Sequence, residues 1–346
     1  MTATAASRPW RSGTTWRNLL RDRPVIPLIG LLAILVVVIE LADNGIVTPT
    51  WAGVIIRAAI PLAILGGCQT LAMLTGGIDL SVASIASMSG FVTATLIHSP
   101  GGVVQGIVVV VVASAIAGLI NGVGIGVFRV HPLIMTLGMS FVVLGLANVW
   151  QLQTVQTGAG VPDSLRTLGS GTFASLVPHD LPASGTIAAL ADLLPFSLIV
   201  FVPVAAAILI GLRRTGYGRL LFAIGDNPIA ARLSGARGWQ VLIVLYVISA
   251  VLASIAGLLI SGLTNTASVS LADSYLLPSV AAAVIGGTSI FGGRGGFGGT
   301  MVGALILTVL AALLTVLGLP EPSRLIVFGS IIVFVAAAYT RVTAES

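Results

Sequence analysis

The residue whose type and setting most suggest chemistry is Asp79. It sits in Thr75-Gly-Gly-Ile-Asp-Leu-Ser81, the only acid placed between two apolar segments that read as parts of a re-entrant or broken helix. A carboxylate at the centre of a bilayer costs about 2.5 to 3.5 kcal/mol, so it needs a partner or a water-facing position. Asp79 could order a gate or bind a proton. Alternatively, Asp79 or Ser81 caps the helix that starts at Val82, its side-chain oxygen taking N–H groups that have no helical partner. Gly76 and Gly77 permit backbone geometry there that other residues resist.

Other chemistries lack their residues. His98, His131 and His179 fall in loops or at the ends of apolar runs, and neither H-E-x-x-H nor G-x-S-x-G occurs. A single Cys68 can form no internal disulfide and no four-ligand metal site. All 16 basic residues are arginine, so a P-loop lysine and a lysine Schiff base are both impossible. The expectation is a chain that is not an enzyme and binds no metal or cofactor itself. If ATP drives it, another polypeptide performs the hydrolysis.

The elements that must position these residues are membrane helices. Of 346 residues, 56% are hydrophobic and 8% charged, against about 25% charged in soluble proteins; mean hydropathy is +1.10. A soluble enzyme and a disordered chain are both excluded. A crossing takes roughly 20 apolar residues, and uncharged runs bounded by charges, Pro or Gly give about ten spans, making an all-α polytopic membrane protein. They lie near Val25 to Ile39, Ala52 to Met73, Val82 to Ile97, Val103 to Phe128, Leu133 to Trp150, Leu193 to Leu212, Trp239 to Gly262, Leu276 to Ile290, Thr300 to Leu319 and Ser323 to Thr340. The first run could serve as a secretory signal, but Glu-Leu-Ala-Asp after it offers no small-x-small cleavage site, so it reads as a retained span.

Charge distribution orients these spans, because arginine collects on the cytoplasmic side. With both termini inside, thirteen arginines and four acids are cytoplasmic, and three arginines and seven acids are external. Residues 1–24 form an Arg-rich cytoplasmic tail, 25–340 the membrane domain and 341–346 a second cytoplasmic tail. The chain is expected to cross its membrane many times, with the Arg-rich face toward the cytoplasm. Its pI of about 10.3 then reports sidedness and attraction to anionic lipid, not nucleic acid.

Two loops are long. The outer one, 151–192, is rich in Gly, Ser, Thr and Pro and reads as an irregular cap, short surface helices or a tolerated insertion. The inner one, 213–238, contains Pro228-Ile-Ala-Ala-Arg-Leu-Ser-Gly235, a short helix with Asn227 as N-cap, Pro228 at N1 and Gly235 past its end. A short helix outside the bilayer on a basic loop has the form of a docking element. Ten spans divide five and five, so an internal repeat would be inverted in the membrane. The third span of each half is short and adjoins a glycine-rich break, Thr75 to Ser81 and Gly286 to Gly299, which points to the transport pathway.

Gly118, Gly122 and Gly126, and again Gly295, Gly299 and Gly303, have the four-residue spacing that lets another helix approach closely. Polar residues within spans are few: Gln69, Thr93, Asn121, Thr136, Ser140, Asn148 and Ser249, with Asn265 just beyond one end. None is ionisable, which disfavours a proton-coupled carrier and fits a pathway for a neutral polar solute. Each could equally bond a neighbouring helix or its own backbone. Gln69, Asp79, Thr93, Asn121, Thr136, Ser140, Asn148 and Asn265 are the pathway candidates.

Five motifs, in order, resemble the permease subunits of bacterial ribose-type ABC importers: Thr75 to Val82, Gly118-Leu-Ile-Asn-Gly122, His131-Pro-Leu-Ile-Met-Thr-Leu-Gly-Met139, Gly218 to Gly235 and Ala283 to Gly295. The resemblance covers about residues 50 to 340. It implies a place in a bacterial inner membrane, a homodimer or a pair of related permeases, two cytoplasmic ABC ATPase subunits carrying ATP and Mg, and an external solute-binding protein. Relatives import pentoses, hexoses, polyols or a sugar-like signalling molecule. In that family the inner loop looks like the coupling element, and Gly225, Asp226, Asn227, Ala230, Ala231, Ser234 and Gly235 fall on its pattern, with Arg219 and Arg232 placed to pair with acids of the ATPase. Asp226 stands where Gly is usual, and Pro228 after Asn227 is a second departure. A stand-alone ion- or proton-coupled carrier built on Asp79 is the alternative.

Overall fold

A computed structural model describes residues 25–96, 102–154, 160–176, 191, 193–320, 322–330 and 333. Both tails, His98, His179 and most of 177–192 lie outside the described residues. The described chain is helical and without a named strand: α1 (Val25–Ala42), α2 (Pro49–Leu74), α3 (Val82–Thr95), α4 (Gly102–Gly126), α5 (Pro132–Thr154), α6 (Asp163–Ser170), α7 (Leu198–Arg214), α8 (Gly216–Asp226), α9 (Pro228–Leu233), α10 (Gly238–Thr264), α11 (Leu276–Ile285) and α12 (Phe297–Val316). Residues 322–330 are also helical.

Helices α2, α4, α5, α10 and α12 are long and apolar enough to cross a membrane; α7 and α8 pass only together, bent by 68° at Thr215. Ten spans were expected. Each includes helical chain where it is described, the last only as far as 330 and at 333, but length and composition qualify five of the described helices, or six with the bent pair. The stretches Ile26–Ala42, Val82–Thr95 and Asp273–Ile285 are apolar and shorter, at 10–17 residues.

The centre of the fold is built from α2, α3 and α10. Every residue of α3 is buried, as is α2 from Ala59 to Leu74. α10 packs against α2, α3, α4 and α6. Backbone contact with α4 is possible because of small residues: a Cβ on Gly122 would lie 2.5 Å from Ile243 Cα, and one on Gly126 2.9 Å from the Trp239 carbonyl oxygen. The partner of the first glycine row is therefore α10. The second row faces its own hairpin, with Gly303 against Ala282, Gly299 against Gly286 and Gly295 against Thr288.

The described part of the outer loop is a cap over helix ends. α6 crosses the end of α10 where Gly169 meets Leu263, a Cβ there lying 2.5 Å from its nitrogen. Arg57 of α2 donates to the Ser170 carbonyl, and Arg166 Nε donates to Asn265 Oδ1 at 3.0 Å while pairing with Asp163 at 3.2 Å.

Candidate functional site

The chain breaks after α2 because Gly76 takes φ +77, a left-handed conformation that suits glycine. It then runs without helical hydrogen bonds to Val82. A bilayer supplies no water for such backbone, so its groups must be satisfied by the protein. Gln69 Nε2 donates to the Asp79 carbonyl at 2.8 Å, and the Asp79 N–H donates to Gln69 Oε1 at 3.2 Å. Thr136 Oγ1 accepts from the Leu80 N–H at 3.1 Å and lies 3.2 Å from the Ile78 carbonyl.

The Asp79 carboxylate, 1% exposed, is met by three donors. Oδ1 accepts from the Ser81 N–H at 3.0 Å and the Ser81 hydroxyl at 2.6 Å, and Oδ2 accepts from the Ser249 hydroxyl at 2.9 Å. Asn121 Nδ2 donates to Ser81 Oγ at 3.0 Å, tying α4 to the same knot. Neither side chain takes the first N–H groups of α3: Ser81, at the N-cap, makes no side-chain cap bond. Asp79 instead closes a turn onto Ser81 and bridges to α10.

Gln69, Asp79, Asn121 and Thr136, scattered over more than sixty residues, thus converge on one buried network. The other pathway candidates stand apart. Thr93 is buried beside Gly106. Ser140 is half-buried one turn beyond Thr136. Asn148 is exposed and donates to its own helix at Leu144, while Asn265, at φ +51, ends α10 and accepts from Arg166. Ser249 completes the knot; its only sequence signal was a hydroxyl within an apolar span. Tyr246 gave none, yet its hydroxyl is buried where a Cβ on Gly77 would lie 3.0 Å away.

The inner loop is more helical than its sequence suggested. Thr215 caps α8, accepting from the Gly218 N–H at 3.2 Å. Asn227 Oδ1 accepts from Ile229 N at 3.1 Å and Ala230 N at 2.9 Å, starting α9 with Pro228 at its first position. Gly235, at φ +88, ends it: Gly235 N donates to the Arg232 carbonyl and Ala236 N to the Ala231 carbonyl, both at 3.0 Å. Of the expected coupling residues, Arg219, Asp226, Asn227, Ala230, Arg232, Ser234 and Gly235 are exposed. Ala231 is buried, where its small size lets α9 pack close to α10. Ile229 and Leu233, 67% and 83% exposed, are the apolar residues of α9 left open.

Gly225 joins this loop to both breaks. A Cβ there would overlap the carbonyl oxygen of Leu74, the last residue of α2, and lie 2.5 Å from Gly293 N. Gly293 N itself donates to that Leu74 oxygen at 3.0 Å. Gly292 and Gly293, at φ +94 and +70, fold the second break around Gly225 and Asp226, and the Phe291 carbonyl approaches Gly76. The end of α8, the end of α2 and the 286–299 break therefore meet backbone to backbone.

Apolar helices packed around polar, glycine-broken segments define a multi-pass membrane protein of transport type. The chain belongs to the family described as the permease component of the branched-chain amino acid transport system, whose pattern matches residues 52–336. It is 30% identical to the ribose import permease protein RbsC of Bacillus subtilis over 306 residues, 88% of this chain and 89% of the relative. It is 28% identical to the fructose import permease protein FrcC of Rhizobium meliloti over 330 residues, covering 93% and 86%. Against the galactose/methyl galactoside import permease protein MglC of Salmonella typhimurium it is 29% identical over 321 residues, covering 89% and 91%. No solved structure matches significantly. Family membership and apolar helices agree in making it a multi-pass inner-membrane permease subunit.

Proposed function

We propose that this chain is the transmembrane subunit of an ATP-binding-cassette importer, moving a neutral monosaccharide or related polyol by alternating access. Separate ATPase subunits supply the energy, an external solute-binding protein delivers the solute, and two copies of the chain, or this chain and a related permease, form the pathway. The N-terminus, the 213–238 loop and the C-terminus face the cytoplasm. Support for the substrate class comes from relatives named as ribose, fructose and galactose import permeases.

The observation that carries the mechanism is the Gly225 junction. A push on α9 reaches α8 through Asn227, and the end of α8 touches the backbone of both glycine breaks. Displacement of the loop cannot leave those breaks unmoved, since close-packed backbone has no room to absorb it. Ile229, Ala230 and Leu233 present the surface that the ATPase grips.

The alternative, a carrier working alone through Asp79, draws less support. Its carboxylate is held by three donors in a knot that also fixes the backbone of the break. The deciding experiment reconstitutes the chain in liposomes, with and without its proposed ATPase and solute-binding partners, and follows labelled ribose, fructose and galactose. Uptake is expected only with the full assembly and ATP. Uptake by the chain alone under a pH gradient would overturn the proposal in favour of the carrier.

A further inference from the structure

A basic cavity of about 500 Å³ lies between α9 and the facing ends of α4 and α10. Arg129, Arg232 and Arg237 line it with Trp239, and its lining contains no acid. All three arginines are exposed, and none is ion-paired among the described residues. Asp226 lines a separate cavity on the other side of α9, which Arg237 also borders. Arg129 has φ +57, a conformation rare for a side chain of its size and typical of sites with a role.

That turn has a further consequence. Residues on either side of Arg129, Phe128 and Val130, line a second cavity of about 390 Å³ with Leu119, Ile120, Val123 and Met135. Every side chain lining it is apolar, and it runs along the membrane-spanning part of α4 beside α5. Gly126 and Arg129 border the basic cavity, and Gly124, Phe128 and Val130 border the apolar one. The two linings meet in sequence at Phe128, Arg129 and Val130, so a site for a negatively charged group and a site for hydrocarbon flank the same turn at the end of α4. Trp239 and Phe128, 47% and 74% exposed, stand at the boundary where amphipathic and aromatic side chains meet headgroups.

We infer that this is a binding site for one anionic phospholipid of the cytoplasmic leaflet. Its phosphate rests among Arg129, Arg232 and Arg237, and one acyl chain lies along Ile120 and Val123. The inference rests on the cytoplasmic placement proposed for the 213–238 loop. A lipid held there touches α9 directly, because Ile229 and Arg232 line the basic cavity, so lipid charge would bias the seating of the coupling helix. A protein occupant would account for the arginines but not for the hydrocarbon-lined cavity in a membrane span.

The test uses the full chain without its ATPase, in nanodiscs of equal phosphatidylcholine and phosphatidylglycerol, with retained lipid counted by native mass spectrometry. One phosphatidylglycerol per chain should be retained in preference to phosphatidylcholine. The double variant Arg129→Gln, Arg237→Gln should weaken that preference roughly 30-fold, the weight of two arginines at an anionic surface. Ile120→Trp, which fills the apolar cavity and leaves every charge in place, should also lower retention, and excess inorganic phosphate should not displace the lipid. Equal retention of the two lipids, or unchanged retention in both variants, overturns the inference. So does displacement by phosphate, which marks a bare anion site, or protection of Arg129 from phenylglyoxal only when the ATPase is added, which marks a protein occupant. Retention measured on the chain alone is independent of uptake, so failure of the transport proposal appears in the liposome assay and not here.

Discussion

Gly225→Ala is the sharpest perturbation of the coupling route. The new Cβ would coincide with the space of the Leu74 carbonyl oxygen and lie 2.5 Å from Gly293 N, both of them backbone atoms that cannot rotate away. Contacts below 3.0 Å are not tolerated, so the end of α8 must retreat by at least about half an ångström from Gly293 and further from Leu74. Retreat strains or breaks the 3.0 Å bond from Gly293 N to Leu74 O. Overpacking of this kind costs about 1 to 3 kcal/mol, and an orphaned backbone group about 1 to 3 kcal/mol more. A loss of about 3 kcal/mol is expected in denaturant unfolding in detergent, together with near-complete loss of ATP-driven uptake in proteoliposomes. Gly211→Ala is the control: a Cβ there meets nothing within 4 Å, and the helix-interior change should be neutral or stabilise by up to about 1 kcal/mol. If Gly225→Ala unfolds and transports as the parent does, the backbone junction is not as tight as described and the route from loop to breaks is refuted.

Asp79→Ala leaves the Ser81 N–H and two serine hydroxyls without an acceptor and should cost about 3 kcal/mol, whereas Asp79→Asn can keep Oδ1 on Ser81 and turn its amide to Ser249, losing about 1 kcal/mol. An Asn variant that unfolds like the parent but transports nothing at any pH would restore a protonation role. Asn227→Ala removes the cap of a six-residue helix and should lower ATP-driven uptake severalfold with a stability loss of about 1 kcal/mol, read by uptake and by amide exchange at Ile229 and Ala230; unchanged exchange would contradict the cap. Ile229→Asp with Leu233→Asp, both exposed, should leave unfolding unchanged and abolish co-purification of the ATPase. Gly122→Val should separate α4 from α10 and destabilise by about 2 kcal/mol or more in the same unfolding assay.

Class and helical segments were legible in the sequence because hydropathy is a sum over local residues. The caps of α9 were legible for the same reason: Asn227, Pro228 and Gly235 act within one or two turns of their own backbone. Glycine-rich runs beside short apolar spans placed the two breaks, and the departures at Asp226 and Pro228 left the helical form of α9 intact. Helix α8 was not anticipated, since its mixed apolar and basic face reads as loop beside the purely apolar runs around it.

What could not be read was which distant residues meet. Gln69 and Thr136 looked like solute ligands as readily as backbone partners, because an amide or hydroxyl offers the same hydrogen bonds to either. Only the packing of α2, α4, α5 and α10 assigned them to the break, and only it separated Asn148 and Asn265 from them. Ala230 and Ala231 are identical in type and adjacent, yet one faces outward and the other is buried. Glycine spacing announced close approach without naming a partner, since a missing Cβ says how near another backbone comes but not whose it is. Composition and local pattern therefore determined a helical membrane protein with a capped inner helix, and the family motifs a permease, while tertiary contact alone decided that Asp79 ties a knot and that Gly225 joins the loop to both breaks.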